Sequence, residues 1–487
     1  MSLRTPTTLG TGRLAALLAA GTLAIVLLLA SAVPSPASAA QQRAGGGKSL
    51  DIGFADILYE SDDSDKWLAK TESVNADVIR VNLYWSSVAP TKPDDPADPD
   101  SPEYNWTFYD KAINNATARG FDIDLTVFSA PPWAEGPNRP SLDAVRAGAW
   151  RPDADAFGQF ARALAKRYGD KVKYYEAWNE PNLSPYIEPQ WKGKDNVSVD
   201  IYSKMLNQFY EGIKAFSPSS KVVVGGTAPY GDPPGGPDRT QPVRFYQELL
   251  CLNRKNKKTG CPEGGAPKFD IIAHHPINRE DPPTAHAINK GDVEIADFHE
   301  LTSILRAAEK QGTPATSGRH DIWANEVWWQ TNPPDKGEGV SFATHARWTA
   351  QALYLLWKQG ASNVSFLQVR DAKYTKGEST LASYQTGIYT YGGKAKPTAR
   401  AVAFPFVTDP KGKRLLAWGV APKSGRLTIQ VKGKGGKGKR AGGFRRAASV
   451  NVKAGKVFTT KLKLPASGKA KLRAKVGGET SLVWTQK

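Results

Sequence analysis

Cysteine is scarce in this sequence, and long hydrophobic runs are confined to its first residues. The 487 residues include only two cysteines, Cys251 and Cys261, and nothing near them supplies the tight group of Cys, His and acidic ligands that a metal site needs. No second span of the length needed to cross a bilayer follows the N-terminal run. Hydrophobic residues still make up 40% of the chain, which suits a large folded core and excludes a disordered protein. We therefore expect a folded protein without a metal or another cofactor.

The N-terminus has the pattern of a secretory signal. Two arginines precede an apolar run over 14–33, and Ala37-Ser38-Ala39 supplies the small residues that a signal peptidase requires. We expect cleavage after Ala39, which makes 1–39 a signal peptide and 40–49 a linker. The mature protein is then secreted, either extracellular or associated with the cell wall. An uncleaved N-terminal anchor is the alternative, because the run is just long enough to span a bilayer.

The predicted export determines the expected oxidation state of the two cysteines. A disulfide persists in an oxidising compartment, so we expect Cys251 and Cys261 to be joined as a structural staple. The loop between them is short and rich in Lys and Asn, and it carries no redox motif.

Acidic residues are almost absent from the C-terminal part of the chain. Residues 411–487 hold 21 Lys and Arg against one acid, Glu479, whereas the whole chain has a net charge of +18. The rest of the chain is therefore slightly acidic, and the basic character belongs to one module. A Lys-rich surface often serves solubility alone, and the functional alternative is attraction to an anionic cell-wall or extracellular polysaccharide. We expect no nucleic-acid partner, because the module has few aromatic residues and no recognised motif.

Short apolar β-type runs alternate with helical patterns from Leu50 onward. Nearly continuous apolar runs are typical of parallel strands that are buried on both faces. The predicted strands are Leu50–Ala55, Val78–Leu83, Phe121–Phe128, Val172–Trp178, Lys221–Gly225, Phe269–His274, Asp321–Glu326 and Val364–Val369. Eight strands followed by helices predict an α/β fold, a (β/α)8 TIM barrel over residues 50–404. A doubly wound open sheet is the alternative, but no Gly-rich phosphate motif follows the first strand.

The pattern changes after Pro405. Runs of alternating or apolar residues separated by Gly, Lys and Pro predict a small antiparallel β-sandwich over 405–487. The predicted strands there are Leu415–Trp418, Arg426–Val431, Ala448–Val452, Val457–Leu462 and Ala470–Val476, with a Gly/Lys loop at 432–443.

Two glutamates close two strands of the predicted barrel. Glu180 follows strand four in the run Trp178-Asn179-Glu180-Pro181-Asn182, and Glu326 ends strand seven. Active sites of such barrels lie at the C-terminal ends of the strands, so both carboxyl groups should meet at one face. Glycoside hydrolysis uses such a pair, one acid to protonate the leaving oxygen and one carboxylate to attack the anomeric carbon.

This motif and its partner resemble the clan A glycoside hydrolases, the 4/7 superfamily, and within it families 5 and 39. The resemblance spans all eight strands. It implies that Glu180 is the acid/base, that Glu326 is the nucleophile, and that Asn179 binds the sugar 2-hydroxyl. Arg80 matches the arginine that supports the nucleophile, and its fixed charge would keep Glu326 ionised.

Further positions are predicted to contact the substrate. One of His274 and His275 corresponds to the clan residue that faces the nucleophile, and we favour His275. Trp133 and Trp85 are predicted as sugar-stacking walls, since the apolar face of a pyranose packs on an indole. Strand eight departs from the clan pattern, because Gln368 and Arg370 stand where an aromatic residue is expected, and Trp328 or Trp329 is predicted to replace it. Each of these side chains could instead be structural, and so could Arg80.

These observations predict a secreted retaining glycosidase that cleaves O-glycosidic bonds of a poly- or oligosaccharide through two glutamates. Two alternatives stay open. One is a non-catalytic carbohydrate-binding protein on the same barrel, and the other is a transglycosylase that remodels cell-wall or extracellular glycans with the same two residues.

Overall fold

The predicted barrel is confirmed. The computed structural model describes residues 49–236, 238–378, 382–432, 443–465 and 469–486. Eight parallel strands close into a barrel in which each strand pairs with its neighbours along the chain and β1 pairs with β8. The strands are β1 (Asp51–Ala55), β2 (Val78–Tyr84), β3 (Asp122–Phe128), β4 (Tyr174–Ala177), β5 (Lys221–Thr227), β6 (Ile271–His274), β7 (Asp321–Val327) and β8 (Asn363–Leu367).

Helices surround the barrel, and their ends follow ordinary capping rules. Asp153 caps one helix by accepting a hydrogen bond from the amide of Ala156 at 2.8 Å, and Ser341 caps another through the amide of Thr344. The main helices are α1 (Ser64–Glu72), α2 (Thr107–Ala118), α3 (Ala154–Tyr168), α4 (Val197–Phe216), α5 (Pro242–Leu249), α6 (His299–Gln311), α7 (Phe342–Gln359) and α8 (Pro397–Ala403). A single turn, Trp85–Val88, directly follows β2.

The inside of the barrel changes from apolar to charged along its axis. Near the N-terminal ends of the strands, Tyr174 and Trp323 pack edge to face with ring centroids 4.6 Å apart. One pleat further along, Arg80, Asp124 and Glu176 are all almost completely buried. Buried charges of this kind need partners, so this layer already marks the end of the barrel where polar chemistry is concentrated.

Two antiparallel sheets follow the barrel, as predicted. The first has the order β9 (Phe406–Lys411), β10 (Arg414–Val420), β13 (Val457–Pro465). The second joins β12 (Phe444–Val452), β11 (Gly425–Lys432), β14 (Ala470–Val476) and β15 (Glu479–Thr480), and β16 (Trp484–Gln486) pairs with β14. Most of the predicted Gly/Lys loop lies outside the described residues, as do the predicted signal peptide and all but the last residue of the linker.

The sheets pack on the last helices of the barrel. Trp418 on β10 stands 5.5 Å from the Tyr354 ring on α7, and Arg347 of α7 stacks on Trp484 while donating to the carbonyl of Thr485. Arg400 of α8 pairs with Glu479 at 2.7 Å. The only acid of residues 411–487 is thus used to bind the barrel.

The predicted disulfide is confirmed, since Cys251 and Cys261 are bonded with their Cα atoms 4.4 Å apart. It closes the segment that follows α5. Within the described ranges, no helix has both the length and the apolar character needed to cross a membrane.

Candidate active site

A cavity of about 340 Å³ opens at the C-terminal ends of the barrel strands. Glu180, Glu326 and Asn179 line it together. The other lining residues share a position on the strand ends or on the loops that follow them, and they are Asn82, Tyr84, Phe128, Arg146, Tyr186, Pro229, Tyr230, Ile277, Arg279, Trp328, Glu338, Leu367 and Tyr384. Aromatic rings and a few charged groups in one concave site are typical of a sugar-binding pocket.

Glu180 is held by an unusual turn of the backbone after β4. Both Trp178 and Glu180 have positive φ, +77° and +40°. The amide of Glu180 donates to the carbonyl of Gly226 on β5 at 2.9 Å, while the buried Trp178 ring donates to the carbonyl of Tyr186. A left-handed conformation costs a non-glycine residue about 1–3 kcal/mol, so the neighbouring strand and the Trp178 anchor must hold it in place. This turn aims the Glu180 carboxyl group into the cavity.

Glu326 lies near the end of β7 and is held from two directions. Nε1 of Trp328 donates to its Oε1 at 3.3 Å, and Nη1 of Arg80 approaches its Oε2 at 3.5 Å. Burial raises the pKa of Glu326 above its usual value and the Glu180 carboxylate adds to the rise, whereas His275 and Arg80 oppose it. A carboxylate so placed is desolvated yet accessible from the cavity, as an attacking group must be.

Arg80 lies beneath the cavity at the centre of a buried charge network. Its guanidinium donates to Oε2 of Glu176 at 2.9 Å and to Oδ1 of Asn179 at 2.9 Å, in addition to its contact with Glu326. Burial lowers the pKa of Arg80, but the carboxylates of Glu176, Glu326 and Asp124 outweigh burial and hold it above its usual value. Arg80 therefore stays charged and orients both Asn179 and Glu326.

Glu176 completes this network, although it is not among the residues predicted from the sequence. Thr126, the amide of Gly226 and Nδ2 of Asn325 all donate to its carboxylate besides Arg80. Burial raises the pKa of Glu176, but Arg80 foremost and also His275 and the donors reverse the effect, so the pKa lies below its usual value. An acid inside the apolar strand Tyr174–Ala177 was the available signal, because a buried acid needs a fixed cation.

His275 bridges the two glutamates. Its Nδ1 lies 2.9 Å from Oε1 of Glu180 and 3.9 Å from Oε2 of Glu326. Nε2 has no hydrogen-bond partner among the described residues and is packed against Gly226, where a Cβ would overlap it. Nδ1 is therefore the ring nitrogen that faces both carboxyl groups. Gly226 is thus required for the close approach of this ring.

Five of the predicted substrate-binding residues do not line the cavity. Arg80 and His275 are buried against the two glutamates, so they can position these carboxyl groups but do not contact a sugar in the cavity.

The other three are farther from a substrate-binding role. His274 is completely buried, between Oγ1 of Thr227 and the carbonyl of Val293, and burial lowers its pKa to about 3. Trp85 is also completely buried, because the turn Trp85–Val88 directs its ring towards the core and Phe160.

Trp133 packs edge to face on Trp85, with ring centroids 5.5 Å apart, and donates to the carbonyl of Ala89. Trp85 and Trp133 thus form part of the contact between the barrel and its helices, so the expectation that they stack on a sugar is corrected.

Of the two tryptophans predicted to replace the aromatic residue of strand eight, Trp328 lines the cavity. Its ring stands 5.1 Å from that of Tyr384, which comes from the loop after β8, and both line the cavity. The adjacent Trp329 points the other way and packs on Trp348 of α7. Gln368, the first residue after β8, takes a positive φ of +67° and directs the chain out of the barrel.

In the part of the chain that the structure describes, no group of three or more His, Cys, Asp or Glu side chains is placed to hold a metal ion. Glu180 and Glu326 both line the cavity, and His275 and Arg80 contact them from beneath it.

Comparisons with known proteins agree with the barrel fold. Residues 51–264 match the cellulase family, glycosyl hydrolase family 5. No curated protein matches the sequence. Among solved structures, a family 39 glycoside hydrolase from the gut symbiont Bacteroides cellulosilyticus WH2 is 15% identical, with a TM-score of 0.56 over 85% of this chain and 81% of its own.

Two further solved structures are similar to the chain at lower scores. A glucosidase from Croceicoccus marinus is 13% identical, with a TM-score of 0.48 over 89% of this chain and 97% of its own. A GH30 endoxylanase from Clostridium papyrosolvens C71 is 10% identical, with a TM-score of 0.45 over 86% and 94%. The family 5 match confirms the resemblance to clan A glycoside hydrolases and supports a glycosidase, and the family 39 structure supports the barrel fold.

Proposed function

We propose that this glycosidase retains the configuration at the anomeric carbon and works by double displacement, with Glu180 as acid/base and Glu326 as nucleophile. The observation that carries the proposal is the meeting of both carboxyl groups around His275 at the mouth of the barrel. In retaining enzymes the two groups lie about 5–5.5 Å apart, whereas inverting enzymes need roughly 6.5–9.5 Å to admit a water molecule.

The distances from His275 limit the separation in this protein. Oε1 of Glu180 and Oε2 of Glu326 can be no farther apart than their two distances from Nδ1 placed end to end, about 6.8 Å. This bound for the two facing oxygens accommodates the retaining separation and supports it over the longer distances of the inverting range.

Each supporting residue has a role in the proposed steps. Glu326 attacks the anomeric carbon as the glycosidic C–O bond breaks, and Glu180 gives its proton to the departing oxygen. Water then replaces the enzyme at the anomeric carbon and returns a proton to Glu180. Arg80 and Trp328 hold Glu326 in position for attack. Asn179, fixed by Arg80, is placed to bind the sugar hydroxyl next to the anomeric carbon, a contact that strengthens in the transition state.

The test is the anomeric configuration of the first-formed product, followed by NMR, together with two variants. We expect retention. Glu326→Ala and Glu180→Ala should each lose at least about a thousandfold in kcat, since a nucleophile and an acid/base are each essential to the chemistry. Added azide should restore turnover, giving an azide of inverted anomeric configuration with the first variant and one of retained configuration with the second. Glu72→Gln is the matched control, because Glu72 is exposed on α1 and does not line the cavity. Inversion, or full activity of Glu326→Ala, would refute the mechanism.

Hydrolysis and transglycosylation share these residues, and the cavity accommodates either. We propose hydrolysis as the main reaction. Product analysis with an excess of acceptor sugar checks this, because chains longer than the substrate would identify a transglycosylase.

We also propose that the protein is exported, with 1–39 removed. The N-terminal pattern supports this, and the disulfide of Cys251 and Cys261 is of the kind that persists in an oxidising compartment. The mass and N-terminal sequence of protein recovered from culture medium test it, with Ala40 expected as the first residue.

Residues 405–487 are further proposed to bind an anionic polysaccharide through one face of the second sheet. Leu427, Ile429, Leu472 and Ala474 alternate inward along β11 and β14. The residues between them on the two strands point to the opposite face of the sheet. Five of these residues are positively charged, namely Arg426, Lys432, Lys471, Arg473 and Lys475. Strand register adds Arg446 beside Gln430 on the same face. Like charges gathered without acids attract a polyanion.

The cationic face is tested in the full chain by affinity electrophoresis in gels that contain a polyuronate. Lys471→Gln with Lys475→Gln should reduce the retardation, and the reduction should shrink with added salt. Lys461→Gln with Lys463→Gln is the matched control, because both are exposed on the other sheet. Equal losses in the two pairs would contradict a face-specific site, and retardation by DNA but not by the polyuronate would contradict the polysaccharide.

A further inference from the structure

Two arginines at the rim of the cavity have no ionic partner within the described part of the chain. Arg146 lies in the loop after β3 and Arg279 in the loop after β6, and both line the cavity and are exposed. Among the described residues, no carboxylate lies within ion-pair distance of either guanidinium. Their charge is therefore available to a ligand in the cavity.

The neighbouring arginines behave differently. Arg80 is enclosed by carboxylates. Arg239 stacks on the Tyr230 ring at 5.1 Å, as Arg279 does at 5.8 Å, but Arg239 is also paired with Asp232 at 2.6 Å. Arg239, whose charge is neutralised by Asp232, thus already packs on Tyr230. Arg279 adds a positive charge that no carboxylate of the described residues balances.

Both unpaired guanidinium groups are held over tyrosines that themselves line the cavity. Arg146 lies 5.6 Å from the centre of the Tyr186 ring, and Arg279 lies over Tyr230. Stacking on an aromatic face restricts a guanidinium while leaving its N–H groups free at the edge. Less conformational entropy is then lost when an anion binds.

The carboxylates of the site explain why such cations would be needed. Glu180, Glu326 and Glu338 all face the cavity, so an anionic sugar would be repelled unless positive charge stood near its acidic groups. A neutral sugar needs hydroxyl partners and stacking, which Asn82, Asn179 and the aromatic rings already supply.

We propose that the substrate is an anionic glycan, whose carboxylate or sulfate groups are bound by Arg146 and Arg279. Guanidinium groups match both oxyanions through paired N–H donors. This inference rests on the proposed function and specifies its substrate class. It is also independent of the cationic sheet face, which lies on the C-terminal sheets rather than at the barrel.

The experiment compares twin substrates that differ only in charge. Uronate-containing polysaccharides are assayed beside their carboxyl-reduced forms, and sulfated ones beside their desulfated forms, by the release of new reducing ends. We expect the acidic member of at least one pair to have a kcat/KM about tenfold or more above its neutral twin. Whether the uronate or the sulfate pairs respond identifies the group.

The variant Arg146→Gln/Arg279→Gln tests the residues. Its kcat/KM on the acidic member should fall about tenfold to a hundredfold through KM, and the preference for the acidic member should disappear. Arg254→Gln is the matched control, an exposed arginine in the disulfide-closed loop, and should leave the ratio unchanged. Because the cationic sheet face is intact in both variants, it does not affect this comparison.

Neutral twins cleaved as well as or better than acidic ones would overturn the inference while the proposed function stands. If no polysaccharide is cleaved, the proposed function fails. The inference is then decided by calorimetry, which measures the binding of each acidic polysaccharide and its neutral twin to the Glu180→Gln variant. Preferential binding of the acidic members that is lost with Arg146→Gln/Arg279→Gln would support it, and equal binding of both members would refute it.

Discussion

Gly226→Ala should disable the site while leaving the barrel folded. A Cβ at this position would lie 2.8 Å from Oδ1 of Asn325 and closer still to Nε2 of His275, so at least one of these side chains must move. Both are completely buried, which leaves little free space for the shift. Overpacking of this kind costs about 1–3 kcal/mol, less than the total stability of most proteins.

The larger effect should be on catalysis. His275 holds Glu180 at 2.9 Å, so a displacement of its ring moves the acid/base. A misplacement of about 1 Å costs on the order of a hundredfold in rate. We therefore expect kcat to fall about a hundredfold with a small fall in Tm, measured on a substrate of the wild type and by thermal denaturation.

A matched control is available at Gly392, where a Cβ would meet nothing within 4 Å. Gly392→Ala should preserve both kcat and Tm. If Gly226→Ala kept full activity, His275 would not position Glu180. If it lost activity only by unfolding, its far-ultraviolet circular dichroism would show the loss of the barrel.

Three further perturbations test the surroundings of the site. Arg80→Met should lower the free energy of unfolding by about 3–5 kcal/mol and abolish activity, because it leaves Glu176 buried without its cation; a stable, active variant would contradict the network. Burial raises the pKa of Glu60 from 4.5 to about 7, so the folded state keeps a proton that the unfolded state has lost, and stability should fall by roughly 1–3 kcal/mol as the pH rises from 4.5 to 7. Denaturant titrations should show a smaller fall for Glu60→Gln, and an equal fall would refute the assignment. Replacing Cys251 and Cys261 by serine should lower stability by about 2–3 kcal/mol for so short a loop, seen as a lower Tm, with kcat unchanged in the folded protein.

The strands were predictable because both faces of a parallel strand are buried. Val78–Leu83 was predicted and Val78–Tyr84 is observed, so the apolar run alone located β2. The predicted strand Val172–Trp178 ends one residue early in the structure, because Trp178 adopts a positive φ that ends the ladder. Strand β9 escaped prediction because it contains Pro410, which is tolerated on this edge strand.

The candidate glutamates were predictable for a related reason. Their positions at strand ends follow from chain order, and the closed barrel then brings them together. The direction of an indole does not follow from chain order. Trp328 and Trp329 are adjacent, yet one lines the cavity and the other packs on α7. Trp85 turns into the core because a single helical turn begins at it. Tyr384 reaches the cavity from a long loop whose path no local pattern specifies.

The left-handed backbone at Glu180 has a consequence for protein engineering. Glycine adopts this conformation without strain, and asparagine tolerates it better than other residues. A saturation library at this position, ranked by melting temperature, should therefore place Glu180→Gly and Glu180→Asn near or above the wild type. The same library ranked by turnover should retain only glutamate. Selection for thermostability alone would thus favour an inactive protein, so any such campaign needs an activity screen at this residue.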